Sequence, residues 1–348
     1  MNHIKGQLIS FVMGATKRAP KGEVIELKSL KSAPHYFEEV IPRQYLIATE
    51  KQSIEPYKNL PSQEIEFSIK MYFPDILIVE ASVNLQDVFA ENVISLRDQL
   101  IDGCHKIFEK RRGKKETTEE YSIMVVGEYS GEPEQFFNMS DKIAGFLKSE
   151  SLPLDKKEIE STLAHSIKYA KNDLVIVDWD GAFIFDPEND FASTIELLEL
   201  ANFQLLRYRI LDSFFDERLR HVAEIVAKAG EKRAFLFGGR EVRAALKSII
   251  EIRATSLSEF LSLERDIKLI GDWYSARLYD MAGTKFKFSE WRGQIKDKLD
   301  ALEDIYSIAT ERFSLSWERI ELIGWFVLLL GWTILLIFDL YFAFYGKP

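Results

Sequence analysis

The chain has 348 residues, 47% hydrophobic and 29% charged, which is a globular composition with room for one large or two ordinary domains. A net charge of -10 argues against a general nucleic-acid binder, which would carry a basic face. The single cysteine, Cys104, excludes an intrachain disulfide framework and fits a reducing compartment.

The N-terminal stretch "MNHIKGQLISFVMGATKRAPKG" lacks the long apolar core and cleavage-like site of a secretory signal. It has no acid before Glu23, a faint transit-peptide character, but it is poor in Arg and Ser. Short apolar or alternating runs bounded by Pro and charges predict strands at "RQYLIATE", "EIEFSIKMYF" and "DILIVEASVNL". A helix follows over 87–112, with Val88, Val93, Leu96, Leu100 and Ile107 spaced for one face. Its end, "EKRRGKKE" at 109–116, reads as a basic loop that could meet anionic lipid or RNA, with a solvated loop as the plainer reading. A strand at "YSIMVVGEYS", helices over 133–150 and 155–170, and a closing pair of apolar runs complete an α+β body over residues 1–190.

That closing pair is "KNDLVIVDWDGAFIFDPENDF". Two β-rich runs flank Trp179-Asp180-Gly181, and Asp-Gly favours a tight hairpin turn. The same string resembles the opening motif of haloacid-dehalogenase-like phosphatases, an apolar strand ending in Asp-x-Asp-Gly. That resemblance implies Asp178 as nucleophile and Asp180 as general acid/base, both addressing one phosphate and one Mg²⁺. Two departures weigh against it. Ala182 stands where that family has Thr or Val, and long helices replace the alternating strands and helices that the fold needs. Asp186, Glu188 and Asp190 form an acidic turn suited to a helix N-terminus. The five histidines lack metal-ligand spacing, Cys104 and His105 point different ways on a helix, and Gly238-Gly239 before "REVR" is a weak phosphate cradle. No cofactor and no metal is implied.

After Asp190 the texture becomes helical. One long pattern ends at Gly230, a second runs over 240–283, and a third starts near Ser289 and enters the last apolar stretch. In the third, Ile295, Leu299, Leu302, Tyr306, Ala309, Phe313, Ser316 and Ile320 alternate steps of four and three. The register continues through Ile323, Val327, Leu330 and Ile334, which is a coiled-coil seam. Ile295, Leu299, Leu302, Tyr306, Ala309, Phe313 and Ile320 are therefore candidate oligomerisation residues, packing against a second copy, against the chain's own two preceding helices, or both.

From Leu322 to Phe338 no residue is charged, and the apolar character resumes after Asp339. About 20 such residues cross a bilayer as a helix. Trp325, Leu328, Leu329, Leu330, Trp332, Leu335, Leu336 and Phe338 are the expected lipid-facing residues, and Trp317, Trp325, Tyr341 and Tyr345 lie toward the interfaces. Arg312 and Arg319 precede the span and Lys347 follows it, so the positive-inside bias puts the bulk of the chain on the cytoplasmic side of a cell inner membrane. With few residues after the span, a tail-anchored, single-pass arrangement is expected. Asp339 suits the outer interface or, alternatively, a pore lining.

The sequence thus predicts an α+β N-terminal body (1–190), long antiparallel α-helices forming a coiled-coil stalk (191–320) and one C-terminal transmembrane helix (321–345). The C-terminal half, from the strand pair through "EIR", "GDWYSARLYD" and Leu299 to Leu330, resembles the family named for required-for-meiotic-nuclear-division proteins, single-pass inner-membrane proteins of mitochondria and bacteria. In that family a Glu-Trp pair enters the span; here the order is Trp317-Glu318. The resemblance implies a membrane-bound assembly without an established enzymatic activity, in the mitochondrial inner membrane if the source is eukaryotic. The expected function is a non-catalytic, self-assembling scaffold or tether, with membrane lipid, further copies of itself and an unknown cytoplasmic protein as partners. A CorA-like ion-conducting or gating oligomer is the first alternative, although the Gly-Met-Asn signature and second span of those channels are absent. The phosphatase is the second.

Overall fold

The fold is described by a computed structural model covering residues 4–16, 25–27, 44–53, 64–72, 75–231, 239–266 and 273–345. Two compact units divide it: residues 1–210 with 262–293, and residues 211–261 with 294–348. The division runs through three long helices rather than between elements.

The first unit is built on a nine-stranded sheet: β1 (Gly6–Thr16), β2 (Ile25–Leu27), β3 (Gln44–Ser53), β4 (Glu64–Tyr72), β5 (Ile76–Leu85), β6 (Gly113–Val126), β7 (Ser166–Ile167), β8 (Leu174–Val177) and β9 (Gly181–Phe185). Their order is β2-β3-β4-β5-β1-β6-β9-β8-β7. Among the described residues only the β6–β9 pair is parallel. β1 lies between β5 and β6 and is buried from Leu8 to Gly14, so its sequence is a nearly continuous apolar run. Gly6 is required there: a Cβ would sit 2.1 Å from the Val125 carbonyl oxygen and 2.5 Å from Val88.

One face of the sheet is covered by α1 (Val93–Lys110), a 3-10 turn (Pro133–Met139) and α2 (Ser140–Leu147), joined by α3 (Lys156–Leu163). Val93, Leu96, Leu100, Cys104 and Ile107 of α1 meet Leu8, Val12, Val79 and Met124 of the sheet in one apolar cluster. The other face takes the first half of α4 (Ala192–Glu231) and the end of α6 (Trp273–Lys285). Tyr72 lies 5.0 Å from Phe203, and Tyr121 is edge-on to Phe286 at 5.8 Å.

The second unit holds the rest of α4, most of α5 (Gly239–Asp266) and α7 (Phe288–Tyr345) from Gln294 onward. Here Phe215, Val222, Ile249, Ile252, Ile295 and Leu302 are buried. Lys298 pairs with Asp212 at 2.6 Å and Asp216 at 2.7 Å, and Arg253 with Glu303 at 2.7 Å, which sets α4, α5 and α7 side by side. α7 is one unbroken helix of 58 residues.

Four expectations change. The helix expected over 155–170 ends at Leu163, and Ser166–Ile167 within that range is β7, paired with β8. "GQLISFVMGAT", which carries no sequence prediction of structure, is the central strand. The basic stretch after α1 is not a loop: β6 begins at Gly113 and runs through Lys114 and the residues that follow. The second long helical pattern is two helices, α5 and α6; residues 267–272 between them lie outside the described residues. A sheet packed by helices and a long apolar C-terminal helix are present as expected, whereas packed helices, not a demonstrated coiled-coil stalk, are what the second unit contains.

Candidate functional site

The Asp-Trp-Asp-Gly string forms the turn of the β8–β9 hairpin. The Asp178 amide donates to the Gly181 carbonyl at 2.9 Å, so the chain reverses within four residues. Asp178 is 3% exposed. Its Oδ1 accepts from the Trp179 amide at 2.7 Å and lies 3.1 Å from Lys285 Nζ on α6. Its Oδ2 faces Lys148 Nζ, just past α2, at 3.2 Å, a charge contact without an aligned hydrogen bond. The Asp178 carbonyl accepts from the Tyr121 hydroxyl at 3.1 Å.

Asp180 is held differently. Arg97 of α1 donates to the Asp180 carbonyl at 2.7 Å and to the Phe146 carbonyl at 2.8 Å, tying the turn to α1 and α2. Trp179 between them is 37% exposed, edge-on to Phe286 at 6.0 Å, with Arg209 of α4 over its ring at 5.9 Å.

Electrostatics separate the two carboxylates. Burial alone would raise Asp178, but the Trp179 amide and the Lys285 and Lys148 ammoniums outweigh it and hold it below the usual range. Burial raises Asp180 despite Arg97, with the Asp178 charge adding to the rise. A nucleophilic carboxylate needs an oxygen open to substrate; both oxygens of Asp178 face cations inside the protein. Chemically, this turn joins β6, α1, α2 and α6 through one buried anion, one buried guanidinium and two carbonyls, and meets α4 through the Trp179 ring.

A second cluster has no signature in the sequence. Lys70 of β4 donates to Glu80 of β5 at 2.8 Å and to Glu199 of α4 at 2.9 Å, and the Tyr72 hydroxyl lies 3.4 Å from the other Glu199 oxygen. Glu199 is 1% exposed, and burial pushes it up to about 8 against the pull of Lys70. Glu80 moves the opposite way: burial would raise it, but the Lys70 ammonium beside it outweighs that and lowers it. Glu119 of β6, paired with Arg209 at 2.7 Å, is likewise raised by burial to about 7. Lys70 and Glu80 sit on the polar phase of strands that read as ordinary alternation, opposite Ile69 and Val79, so the chain gives no hint that α4 covers them.

The remaining candidates fall in separate places. In the acidic turn, the Asp186 carboxylate accepts from the amides of Glu188 at 2.9 Å and Asp190 at 3.1 Å, so it closes its own turn just ahead of α4. Cys104 is buried and its thiol is raised by desolvation, whereas His105 faces Glu120 at 2.6 Å. Among the described residues no group of three His, Cys, Asp or Glu side chains could hold a metal. Of the seam residues, Ile295 and Leu302 are buried, Leu299 and Tyr306 are half-buried, and the side chains of Ala309, Phe313 and Ile320 lie outside the described residues. Trp325, Leu328, Leu329, Leu330, Trp332, Leu335, Leu336 and Phe338 are all exposed, within a 20-residue segment, Leu322–Tyr341, of mean hydropathy 2.2 and long enough to cross a membrane.

Residues 26–192 match the model of a family described as the N-terminal domain of the uncharacterized protein MJ0711. The match ends where α4 begins. The uncharacterized protein MJ0711 of Methanocaldococcus jannaschii is 26% identical over 309 residues, covering 88% of this chain and 89% of the relative. No solved structure matches. The chain is therefore similar, over most of its length, to a protein of undescribed function; neither comparison names the meiotic-division family.

Proposed function

We propose that this protein is a membrane-anchored scaffold that assembles with copies of itself and offers its α+β body to a protein partner on the cytoplasmic side. The observation that carries the reading is α7. One helix carries the buried Ile295 and Leu302 and continues without a break into the 20-residue, predominantly apolar segment Leu322–Tyr341, none of which is buried. Water solvates such a surface poorly, and a bilayer solvates it well. Arg312 and Arg319 ahead of the span, against Lys347 after it, support the cytoplasmic side. The resemblance to the meiotic-division family fits the same reading, since it implies a membrane-bound assembly.

Because Ile295 and Leu302 are already buried in the monomer, self-association draws on the part of the register inside the apolar segment. Ile323, Val327, Leu330 and Ile334 are between 47% and 66% exposed there. The test is mass photometry of the detergent-purified full chain beside Val327→Ala/Leu330→Ala. A discrete oligomer that shrinks in the double variant supports the proposal, and a monomeric full chain removes the self-assembly.

A further inference from the structure

We propose that the corner between α1 and β6 is a docking surface for the anionic headgroups of the membrane that the chain's own α7 enters. This rests on the anchored reading above and adds a second point of attachment. Lys106, Lys110, Arg112 and Lys114 are exposed, and none of them forms an ion pair among the described residues. The chain carries 55 acids against 45 Lys and Arg, and Lys70, Lys148, Lys168, Lys285, Arg207 and Arg209 have carboxylate partners. Other exposed lysines, Lys156, Lys157 and Lys171 among them, are unpaired among the described residues too; what marks the corner is that four such cations gather on one turn. Four unpaired cations within nine residues are charge-complementary to a surface outside the chain.

The corner is also rigid, so the cations are presented rather than trailing. Gly113 packs its backbone against the buried Phe108 ring, where a Cβ would lie 2.1 Å away. Arg112 turns the chain at φ 66. Its amide donates to the Glu109 carbonyl at 2.9 Å, and its own carbonyl accepts from the Thr16 hydroxyl at 3.4 Å. Arg111 is spent on Glu50 at 2.7 Å. Lys106 and Lys110 share one face of α1, one turn apart, while Lys114 extends from the part of β6 ahead of Ser122, where pairing with β9 starts.

A membrane fits this surface better than a dissolved polyanion. The charge of -10 repels a free nucleic acid at range, whereas a bilayer already holding α7 needs no long-range attraction. Each basic residue at an anionic surface raises affinity about fivefold, and the attraction fades within a Debye length of about 8 Å, so contact is required.

The test uses the full chain in nanodiscs with a fluorophore at Asp102→Cys, one turn before Lys106; the native Cys104 is buried and stays unlabelled. Acrylamide quenching is compared between pure phosphatidylcholine discs and discs with about 30% phosphatidylserine. The expected result is an approximately threefold drop in quenching in the anionic discs, lost at about 0.5 M salt and lost with Lys106→Gln/Lys110→Gln/Arg112→Gln/Lys114→Gln at unchanged circular dichroism. Equal quenching in both discs, with the protein co-eluting with them, overturns this proposal alone. Protection that appears only when RNA is added to neutral discs also overturns it, in favour of a nucleic-acid surface. A chain that fails to enter either disc overturns the anchored reading and this proposal together.

Discussion

Lys285, at the C-terminal end of α6, reaches back to Asp178 in the β8–β9 turn at 3.1 Å, and this pair fastens α6 to the sheet. Lys285 is 16% exposed and Asp178 5% at the side chain, so the pair is screened little by solvent.

Asp178→Ala is expected to destabilise the first unit by about 3 kcal/mol, since it strands two lysines and an amide around an emptied site. Chemical denaturation followed by tryptophan fluorescence measures it. A loss under about 1 kcal/mol would show that the turn is held by Arg97 alone.

Lys285→Met is expected to cost more than Lys148→Met. Lys148 is the more exposed of the two, at 25%, and shares its charge with Glu158 at 2.8 Å. Paired melting curves of the two variants decide the order, and equal costs would mean that both contacts count the same.

Stability should fall as pH rises through the neutral range. Glu199 has a folded value of about 8 against an ordinary value of 4.5, and Glu119 about 7 against 4.5. A carboxyl raised on folding stabilises the folded state at low pH, and that contribution is lost as pH rises toward and through the folded value. The wild type is therefore expected to lose melting temperature from about pH 5 to about pH 8, and Glu199→Gln to flatten part of that slope. Asp178 and Glu80, both lowered, act oppositely and lose their contribution only as pH falls through the acid range. Parallel slopes for wild type and variant would exclude Glu199 as the titrating group.

Gly6→Ala should cost about 2 kcal/mol or more, because the added methyl meets a backbone carbonyl that cannot move without breaking the β1–β6 pairing. Urea denaturation at fixed pH reads the change.

Replacing Leu329 and Leu335 with Arg should release the chain from membranes. Each Arg at the centre of a span costs about 3 kcal/mol on insertion scales, enough to eject a single helix when doubled. Resistance to carbonate extraction is the measurement, and full retention of the double variant would require a second anchor such as the basic corner.

The apolar stretch at Leu322–Tyr341 was legible in the chain because membrane length and hydropathy are local properties, needing no partner to be recognised. The hairpin at Asp178–Gly181 was legible for a similar reason, since Asp-Gly between two β-rich runs specifies its own turn. β1 was not. A strand buried on both faces shows no alternation, and its apolar run at the N-terminus invites comparison with leaders rather than strands. The first turns of β6 were hidden by their charge, which belongs there because β9 pairs only from Ser122 onward and leaves that stretch of β6 at an edge.

What tertiary structure alone decided is which charges meet. Nothing in the order of residues ties Lys70 and Glu80 to Glu199, or Asp178 to Lys148 and Lys285; sheet register and the crossing of α4 and α6 over one face do so. Ion pairing is a matter of a few ångströms in space, and the chain reports only separation along itself.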